Sequence, residues 1–276
     1  MTENKNPSIS IIMPAYNAGA HIGEAVSSVI SQTYPNWELL IVNDGSRDDT
    51  LTKLQSFDDP RIRIFSQGKK GVSAARNKAL EEMKGDFFCF LDADDVMPPR
   101  SLEARLRVFE KNPHTVFADG KVRIMDETLS QTINQYSTSF KGDPFFELAS
   151  LNESCFLGLT WMIKVLPGKA YRFHEGMTHG EDLLFFLELS EGGRYDHTGE
   201  EVLFYRKGHV SAMGNLEGLE KGYLQIYTWL KQSGRIDRKA LVLLKRKMGR
   251  IMGRSWWKKG RIFRGLKSIG LFYRLS

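Results

Sequence analysis

The first hundred residues alternate short apolar runs with stretches of helical periodicity, and each apolar run ends in a polar turn. Ser8–Met13 is a strand candidate followed by Pro14-Ala15-Tyr16-Asn17-Ala18-Gly19. Ile22, Ala25, Val26, Val29 and Ile30 then recur at helical spacing. Trp37–Val42 is a second apolar run, closed by Asn43-Asp44-Gly45-Ser46. Leu51 and Leu54 mark a short helix, and Arg61–Phe65 alternates as a third strand. Gly71–Lys84 reads as helix with Val72, Ala75, Ala79 and Leu80 on one side. Phe87–Leu91 is a fourth strand, closed by Asp92-Ala93-Asp94-Asp95. Repeated strand–helix units of this kind predict an α/β fold, a Rossmann-like, mostly parallel sheet flanked by helices on both faces.

Beyond a helix predicted around Ser101–Lys111 the pattern loosens. Val116–Ala118, Val122–Met125 and Phe156–Ile163 read as strands, and Phe145–Leu151 and Leu183–Ser190 as helices. Glu201–Arg206 resembles an edge strand. No internal repeat or low-complexity linker interrupts the chain, so a boundary near residue 110 separates two halves of one unit. The expected organisation is residues 1–110, residues 111–230 and a helical tail, 231–276.

In an open parallel sheet, ligands bind beyond the carboxyl ends of the strands. Four polar segments fall there: Pro14–Gly19, Asn43–Ser46, Gln67–Gly71 and Asp92–Asp95. No Gly-x-Gly-x-x-Gly follows the first strand, and no Gly-x-x-x-x-Gly-Lys-Ser/Thr occurs, which argues against dinucleotide oxidoreductases and P-loop NTPases. The segments offer carboxylates instead: Asp44, Asp92, Asp94 and Asp95. Carboxylates repel a phosphate unless a hard divalent cation lies between, because Mg²⁺ or Mn²⁺ takes oxygen ligands from both sides. Asp92-x-Asp94 at the mouth of a buried strand suits a metal bridging a nucleotide diphosphate. The plainer alternative is a solvated acidic turn.

Four segments together carry a resemblance: Ser10-Ile11-Ile12-Met13-Pro14-Ala15-Tyr16-Asn17, Ile41-Val42-Asn43-Asp44-Gly45-Ser46, Gly71-Val72-Ser73-Ala74-Ala75-Arg76-Asn77 and Phe90-Leu91-Asp92-Ala93-Asp94-Asp95. In this order, residues 8–95 resemble the nucleotide-sugar-binding half of family-2 inverting glycosyltransferases, which have the A-type glycosyltransferase fold. The resemblance implies that Pro14, Ala15, Tyr16 and Asn17 border the nucleotide. It implies that Asp44 accepts a hydrogen bond from the base, uracil, and that Arg76 lies over or beside it. Asp92 and Ala93 would face the ribose and metal-bound water, and Asp94 would coordinate Mn²⁺ or Mg²⁺. The chemistry is compatible, since Asp can accept from an imide N–H and Arg offers a planar fork that stacks and donates.

The second half must supply an acceptor site and a base. Glu181-Asp182 ends a polar loop and opens an apolar helix, where first-turn carboxylates are also expected on structural grounds alone. The resemblance extends here and implies that Asp182 deprotonates an acceptor hydroxyl while Glu181 orients the acceptor. His179 and Trp161 are further acceptor-site candidates. Tyr205-Arg206-Lys207-Gly208-His209 resembles a family segment whose basic groups approach the diphosphate or metal. Arg206 and His209 are therefore donor-site candidates, and His209 also a candidate metal ligand beside Asp94, although His209 stands three residues after Arg206 where the familiar form has two. The implied reaction is inverting transfer from a UDP-sugar to a hydroxyl of a glycan or lipid-linked glycan, in surface polysaccharide synthesis. Two alternatives are a sugar-phosphate nucleotidyltransferase and a non-catalytic nucleotide- or membrane-binding module. The first is disfavoured because Pro14-Ala15-Tyr16-Asn17 lacks a basic, Gly-rich phosphate loop.

Charge is unevenly distributed. Of 39 Lys and Arg, 15 lie in residues 231–276 against one acid, Asp237, whereas the first 230 residues hold 24 bases and 32 acids. Leu241, Leu244, Met248, Ile251 and Met252 recur at helical spacing among these bases, as do Ile262, Phe263, Leu266, Ile269 and Tyr273. Basic amphipathic helices with Trp256, Trp257 and Phe263 suit an anionic membrane surface, which makes residues 236–276 a candidate peripheral anchor. The alternative is packing on the body or on a second subunit. Nucleic acid, the other partner of a basic tail, does not suit the carboxylate-lined site. No run approaches the about 18 apolar residues that span a bilayer. Met1–Asn6 lacks an apolar leader, and two cysteines, Cys89 and Cys155, are too few for a disulfide framework. The expected location is cytoplasmic, peripheral on the cytoplasmic face of the membrane.

Overall fold

The computed structural model describes residues 6–155, 158–208 and 214–275. Strands β1 (Ile9–Ala15), β2 (Trp37–Asp44), β3 (Ile62–Gln67) and β4 (Phe87–Phe90) are parallel, in the order β3-β2-β1-β4. They are joined by α1 (Ile22–Ile30), α2 (Thr50–Leu54) and α3 (Val72–Glu82). The chain steps outward from β1 to β3 and then returns to the other side of β1. The reversal opens a crevice at the carboxyl ends of β1 and β4, the place where such sheets bind ligands.

Both faces of this sheet are buried, and successive side chains divide between them. Ile9, Ile11, Met13, Leu39 and Ile41 pack with Val26 of α1 and with Leu102 and Leu106 of α4 (Ser101–Lys111). Ile12, Leu40 and Val42 point to the opposite side, against Ala75 and Ala79 of α3. Period-2 alternation with apolar residues on both faces explains why these strands read as continuous apolar runs. In α3 the expected apolar side is only partly right. Val72 is exposed, while Ser73, Arg76 and Asn77 are buried beside the alanines.

The second half extends the same sheet with antiparallel strands. β7 (Met162–Lys164) pairs with β4, and β5 (Thr115–Met125) pairs with β7 and with β6 (Thr132–Tyr136). β8 (Arg194–Arg206) runs parallel to β5. The strands expected at 116–118 and 122–125 are one strand. Asp119-Gly120 is no turn, because a Cβ on Gly120 would lie 2.4 Å from the Val202 side chain of β8. The strand expected over 156–163 contracts to β7, with residues 156 and 157 outside the described residues. The edge strand expected at 201–206 is the end of the 13-residue β8. Helices α5 (Phe145–Ala149) and α6 (Glu181–Leu189) lie where expected, whereas β6 and α7 (Leu216–Ser233) carry no signal used above.

Residues 231–276 are not an appendage. α8 (Arg238–Lys258) opens on Asp237, which accepts from the Ala240 N–H at 2.7 Å. Its Leu244, Met248, Met252 and Trp256, and Phe272 of α9 (Ile262–Tyr273), belong to the same apolar cluster as Ile12 and Phe88. Gly253 lets α9 approach closely, since a Cβ there would lie 2.6 Å from Ile269 Cδ1. The α8 stripe expected to meet a membrane is therefore core. Met248 is 0% exposed and Leu243 on the same helix is 64% exposed. Met248→Ala should cost about 2–4 kcal/mol in urea denaturation and Leu243→Ala less than about 1 kcal/mol. Equal effects would mean that α8 does not pack this way.

Candidate functional site

The turn after β2 is organised around one carboxylate. Asp44 is buried and accepts from Gln67 Nε2 and from the Lys70 and Gly71 backbone N–H groups, each at 2.8 Å. An ionised carboxylate has about four lone-pair sites, so one acceptor position remains for a ligand N–H. Next to it the β1 and β2 turns are stitched together. The Asn17 N–H donates to Ser46 Oγ at 3.0 Å, and Asn17 Oδ1 accepts from the Arg47 N–H at 2.8 Å. Tyr16 stands exposed, with Lys69 Nζ 4.0 Å from its ring centroid and 2.9 Å from its hydroxyl. That ammonium lowers the Tyr16 pKa. Pro14 and Ala15, at the end of β1, pair in register with Val42 and Asn43.

The second cluster joins the two halves of the chain. Arg76, 5% exposed on α3, donates from Nη2 to Asp92 Oδ1 and from Nη1 to Glu181 Oε1, both at 3.1 Å. Its guanidinium carbon lies 5.3 Å from the Phe173 ring centroid, and Nε has no protein partner among the described residues. The structure thus gives Arg76 a bridging place. Both terminal nitrogens are engaged by carboxylates, where the sequence suggested a group lying over a base.

A cleft of about 440 Å³ opens here, walled by Arg76, Asp92, Asp95, Thr160, His179, Glu181, Asp182 and Tyr205. Asp182 is the second residue of α6, which follows Gly180, whose φ of +74° suits glycine, and it accepts from the Leu183 N–H at 2.7 Å. Burial and the adjacent Glu181 push the Asp182 carboxyl up to about 6, against the pull of that N–H and of Arg76. A carboxylate poised there can take a proton near neutral pH. Asp182 in turn helps raise the Tyr223 hydroxyl, which is mainly raised by burial.

Asp92-Ala93-Asp94-Asp95 leaves β4 as expected. Asp95 is buried, and burial with the nearby Asp92 and Asp94 raises its pKa well above the usual carboxylate range. Arg206 holds this turn from behind, through its N–H to Asp95 Oδ1 at 2.8 Å and its Nε to the Asp94 carbonyl at 2.7 Å. It also pairs with Glu24 and with the Glu127 carbonyl. Its side chain is 2% exposed, so Arg206 supports the acidic turn and does not stand open to a diphosphate as the sequence suggested. His209 lies outside the described residues. Among the described residues, no group of three or more His, Cys, Asp or Glu could hold a metal alone. The donors are nevertheless all carboxylate oxygens, with Asp92 and Asp94 partly exposed. Such a partial oxygen set fits a Mg²⁺ or Mn²⁺ ion that completes its shell from a bound diphosphate.

Trp161 is a correction. It is fully buried, donates from Nε1 to the Cys155 carbonyl at 2.9 Å and packs among Phe117, Phe186 and Tyr195. Its neighbour Thr160 lines the cleft in its place. His179 does border the cleft but is buried, with Nδ1 3.1 Å from Thr178 Oγ1. Sequence reasoning missed the helix that holds His179. A Cβ on Gly218 of α7 would lie 2.4 Å from His179 Nδ1, and one on Gly222 2.1 Å from the His179 carbonyl oxygen. The Gly-x-x-x-Gly spacing on a helix was the available signal. In an open helix, Ala is favoured over Gly by about 1 kcal/mol. Here Gly222→Ala should instead destabilise the chain by about 1–3 kcal/mol in urea denaturation. A gain in stability would show that this seam is loose.

Comparison with known proteins places these features in a family. Residues 10–164 match the family model described as glycosyl transferase family 2. An uncharacterized glycosyltransferase of Haemophilus influenzae is 34% identical over 216 residues, covering 76% of this chain and 83% of that protein. The Escherichia coli UDP-Glc:alpha-D-GlcNAc-diphosphoundecaprenol beta-1,3-glucosyltransferase WfgD is 45% identical over 105 residues, 38% of this chain and 42% of its own length. The match thus spans less than half of WfgD. Among solved structures, S. aureus TarS 1-349 in complex with UDP-GlcNAc superposes with a TM-score of 0.66 at 16% identity, covering 97% of this chain and 89% of that one. The mannosyltransferase PcManGT from Pyrobaculum calidifontis, in complex with GDP-Man and Mn2+, has a TM-score of 0.64 at 16% identity, covering 97% and 75%. The α/β sheet with its C-terminal helices is the fold these structures share with it, and the chain belongs to glycosyl transferase family 2.

Proposed function

We propose that this glycosyltransferase moves a sugar from UDP to a hydroxyl of a glycan or lipid-linked glycan, with inversion at the anomeric carbon, in surface polysaccharide synthesis. One observation carries the reading. A carboxylate poised at about 6, Asp182, shares a cleft with Arg76, Asp92 and Asp95 at the crevice of the sheet. A UDP donor is supported by TarS with UDP-GlcNAc and by WfgD, named for UDP-Glc and a diphosphoundecaprenol acceptor. The single open acceptor position on Asp44 suits the imide N–H of uracil. Tyr16 and Asn17 border the same turn, as a nucleotide site requires.

In this reading Asp182 accepts the proton of the attacking hydroxyl, and Glu181, fixed by Arg76, orients the acceptor. His179 and Thr160 shape the acceptor side of the cleft. The hydroxyl forms a bond to the anomeric carbon as the bond to the UDP oxygen breaks, so no covalent enzyme intermediate is needed. Asp92 and Asp94 would hold Mn²⁺ or Mg²⁺, which when bound neutralises charge on the diphosphate. Arg206 fixes the turn that carries both. The lipid-linked acceptor implies work at the cytoplasmic face of a membrane, reached by a chain whose described helices are all too short or too polar to cross one.

Two experiments test this. Asp182→Asn should lower transfer by roughly 10²- to 10⁴-fold while UDP titrates with unchanged affinity in the presence of Mn²⁺. Transfer at the unsubstituted rate would refute the assignment of the base. Because the base works only when ionised, kcat/KM should be level above about pH 7, halve at the Asp182 value of about 6 and approach a tenfold fall per pH unit below it. An acid limb near the ordinary Asp value would mean that another group takes the proton.

A further inference from the structure

With the α8 stripe committed to the core, most of the exposed apolar surface of the C-terminal helices lies on α9 and the end of α8, with Leu243 standing apart near the start of α8. Phe263 is 89% exposed, Ile262 60% and Leu266 54%. At 100° per residue, Ile262, Leu266 and Tyr273 form one stripe with Phe263 at its edge. Gly265, Ser268 and Phe272, centred about 110° further round the helix, form the buried face. Trp257 of α8 is half-exposed beside them, its Nε1 donating to the Ile262 carbonyl at 3.3 Å. The stripe is therefore held on a packed helix. α9 is further fixed to α7 by Ser268 Oγ on Glu220 and by Arg264 to Glu217 at 3.1 Å.

The exposed charges that α8 and α9 place around the stripe have one sign, and the acids beside it are Glu217 and Glu220 of α7. Lys258, Lys259, Arg261, Lys267 and Arg274 are exposed around it, and residues 238–276 contain no Asp or Glu. We propose that the α8–α9 corner, Trp257 to Leu266 and on to Tyr273, is a docking surface for an anionic lipid bilayer. It would lie in the interface with Phe263 and Leu266 inserted and the basic rim at the headgroups. A polyanion such as nucleic acid would answer the charges and leave the aliphatic stripe in water. A second copy would answer the stripe and set two basic rims against each other. An anionic bilayer answers both, because apolar burial and attraction of Lys and Arg to lipid headgroups add in one geometry. This deepens the membrane location proposed above by naming its surface, and it separates the tail into a core helix, α8, and a docking helix, α9.

The test is flotation of the full chain with vesicles of phosphatidylglycerol mixed with phosphatidylcholine, at low and high salt. Partitioning should be strong at low salt and fall as salt rises. Phe263→Asp combined with Leu266→Asp should reduce it about a hundredfold, since each buried large apolar side chain contributes roughly a tenfold factor or more. Lys258→Glu with Lys267→Glu should reduce it about tenfold or more. Leu243→Asp, about 21 Å from Trp257 along α8, should leave it unchanged. Urea midpoints and hydrolysis of soluble UDP-sugar, both unaltered in the surface variants, exclude misfolding. Several results would overturn the proposal: no flotation, equal flotation with phosphatidylcholine alone, wild-type binding by the Asp variant, or a dimer in sedimentation that this variant dissolves. Vesicle binding lost with donor hydrolysis intact rejects only the docking surface. Hydrolysis absent with binding intact rejects the transferase reading alone.

Discussion

The site depends on one buried cation. Arg76 reaches from α3, in the first half of the chain, to Asp92 just past the end of β4 and to Glu181 at the start of α6. Removing an ion from water costs several kcal/mol unless partners answer its charge, and two carboxylates do so here. The same pairing prevents Asp92, Glu181 and Asp182 from accumulating uncompensated negative charge in one cleft. Burial and Glu181 raise the Asp182 carboxyl and Arg76 moderates the rise, so its charge state is set by a balance of neighbours. Fixing Glu181 through Arg76 also fixes the first turn of α6, and with it the separation between the acidic turn of β4 and Asp182.

Scaffolding around this bridge is divided between two kinds of contact. The acidic turn is held by polar bonds, with Arg206 of β8 fastened to the Asp94 carbonyl and the Asp95 carboxylate. The loop before α6 is held by close packing, with His179 and Gly180 pressed on Gly218, Gly222 and Ile226 of α7. Polar clamping keeps the carboxylates of the turn in place. Backbone-to-helix packing admits little slack and holds Asp182 at one height in the cleft.

The first half was legible because its signals are local. Four apolar runs, each closed by a polar turn, state both the parallel sheet and the crevice at its carboxyl ends. Asp44, Asp92 and Asp182 stand at element ends that the pattern alone marks. What escaped depended on contacts distant in sequence. Trp161 looked like a binding aromatic, yet Phe117, Phe186 and Tyr195 enclose it. Arg206 looked like a phosphate ligand, yet Glu24, Glu127 and the β4 turn occupy it. Met248 and Phe263 both sit on basic amphipathic helices and are indistinguishable by periodicity, but one is buried among the helices of the apolar cluster and the other meets solvent. Helix α7 passed unnoticed because its two glycines serve a loop some 40 residues earlier.

The apolar cluster shared by Ile12 and Phe272 also bears on the order in which the chain can fold. A nascent protein emerges from its amino end, and β1 to β4 are complete long before α8 and α9 exist. α3 covers that face of the parallel strands early, but the cluster runs on through α6 and α7 and stays open at its far end until the carboxyl-terminal helices arrive to pack on α7. Closing the cluster therefore needs contacts of long sequence separation, which form slowly and leave apolar surface open meanwhile. Truncation near the carboxyl end would yield a chain whose first half is fully synthesised but whose apolar cluster is left open where α8 and α9 pack.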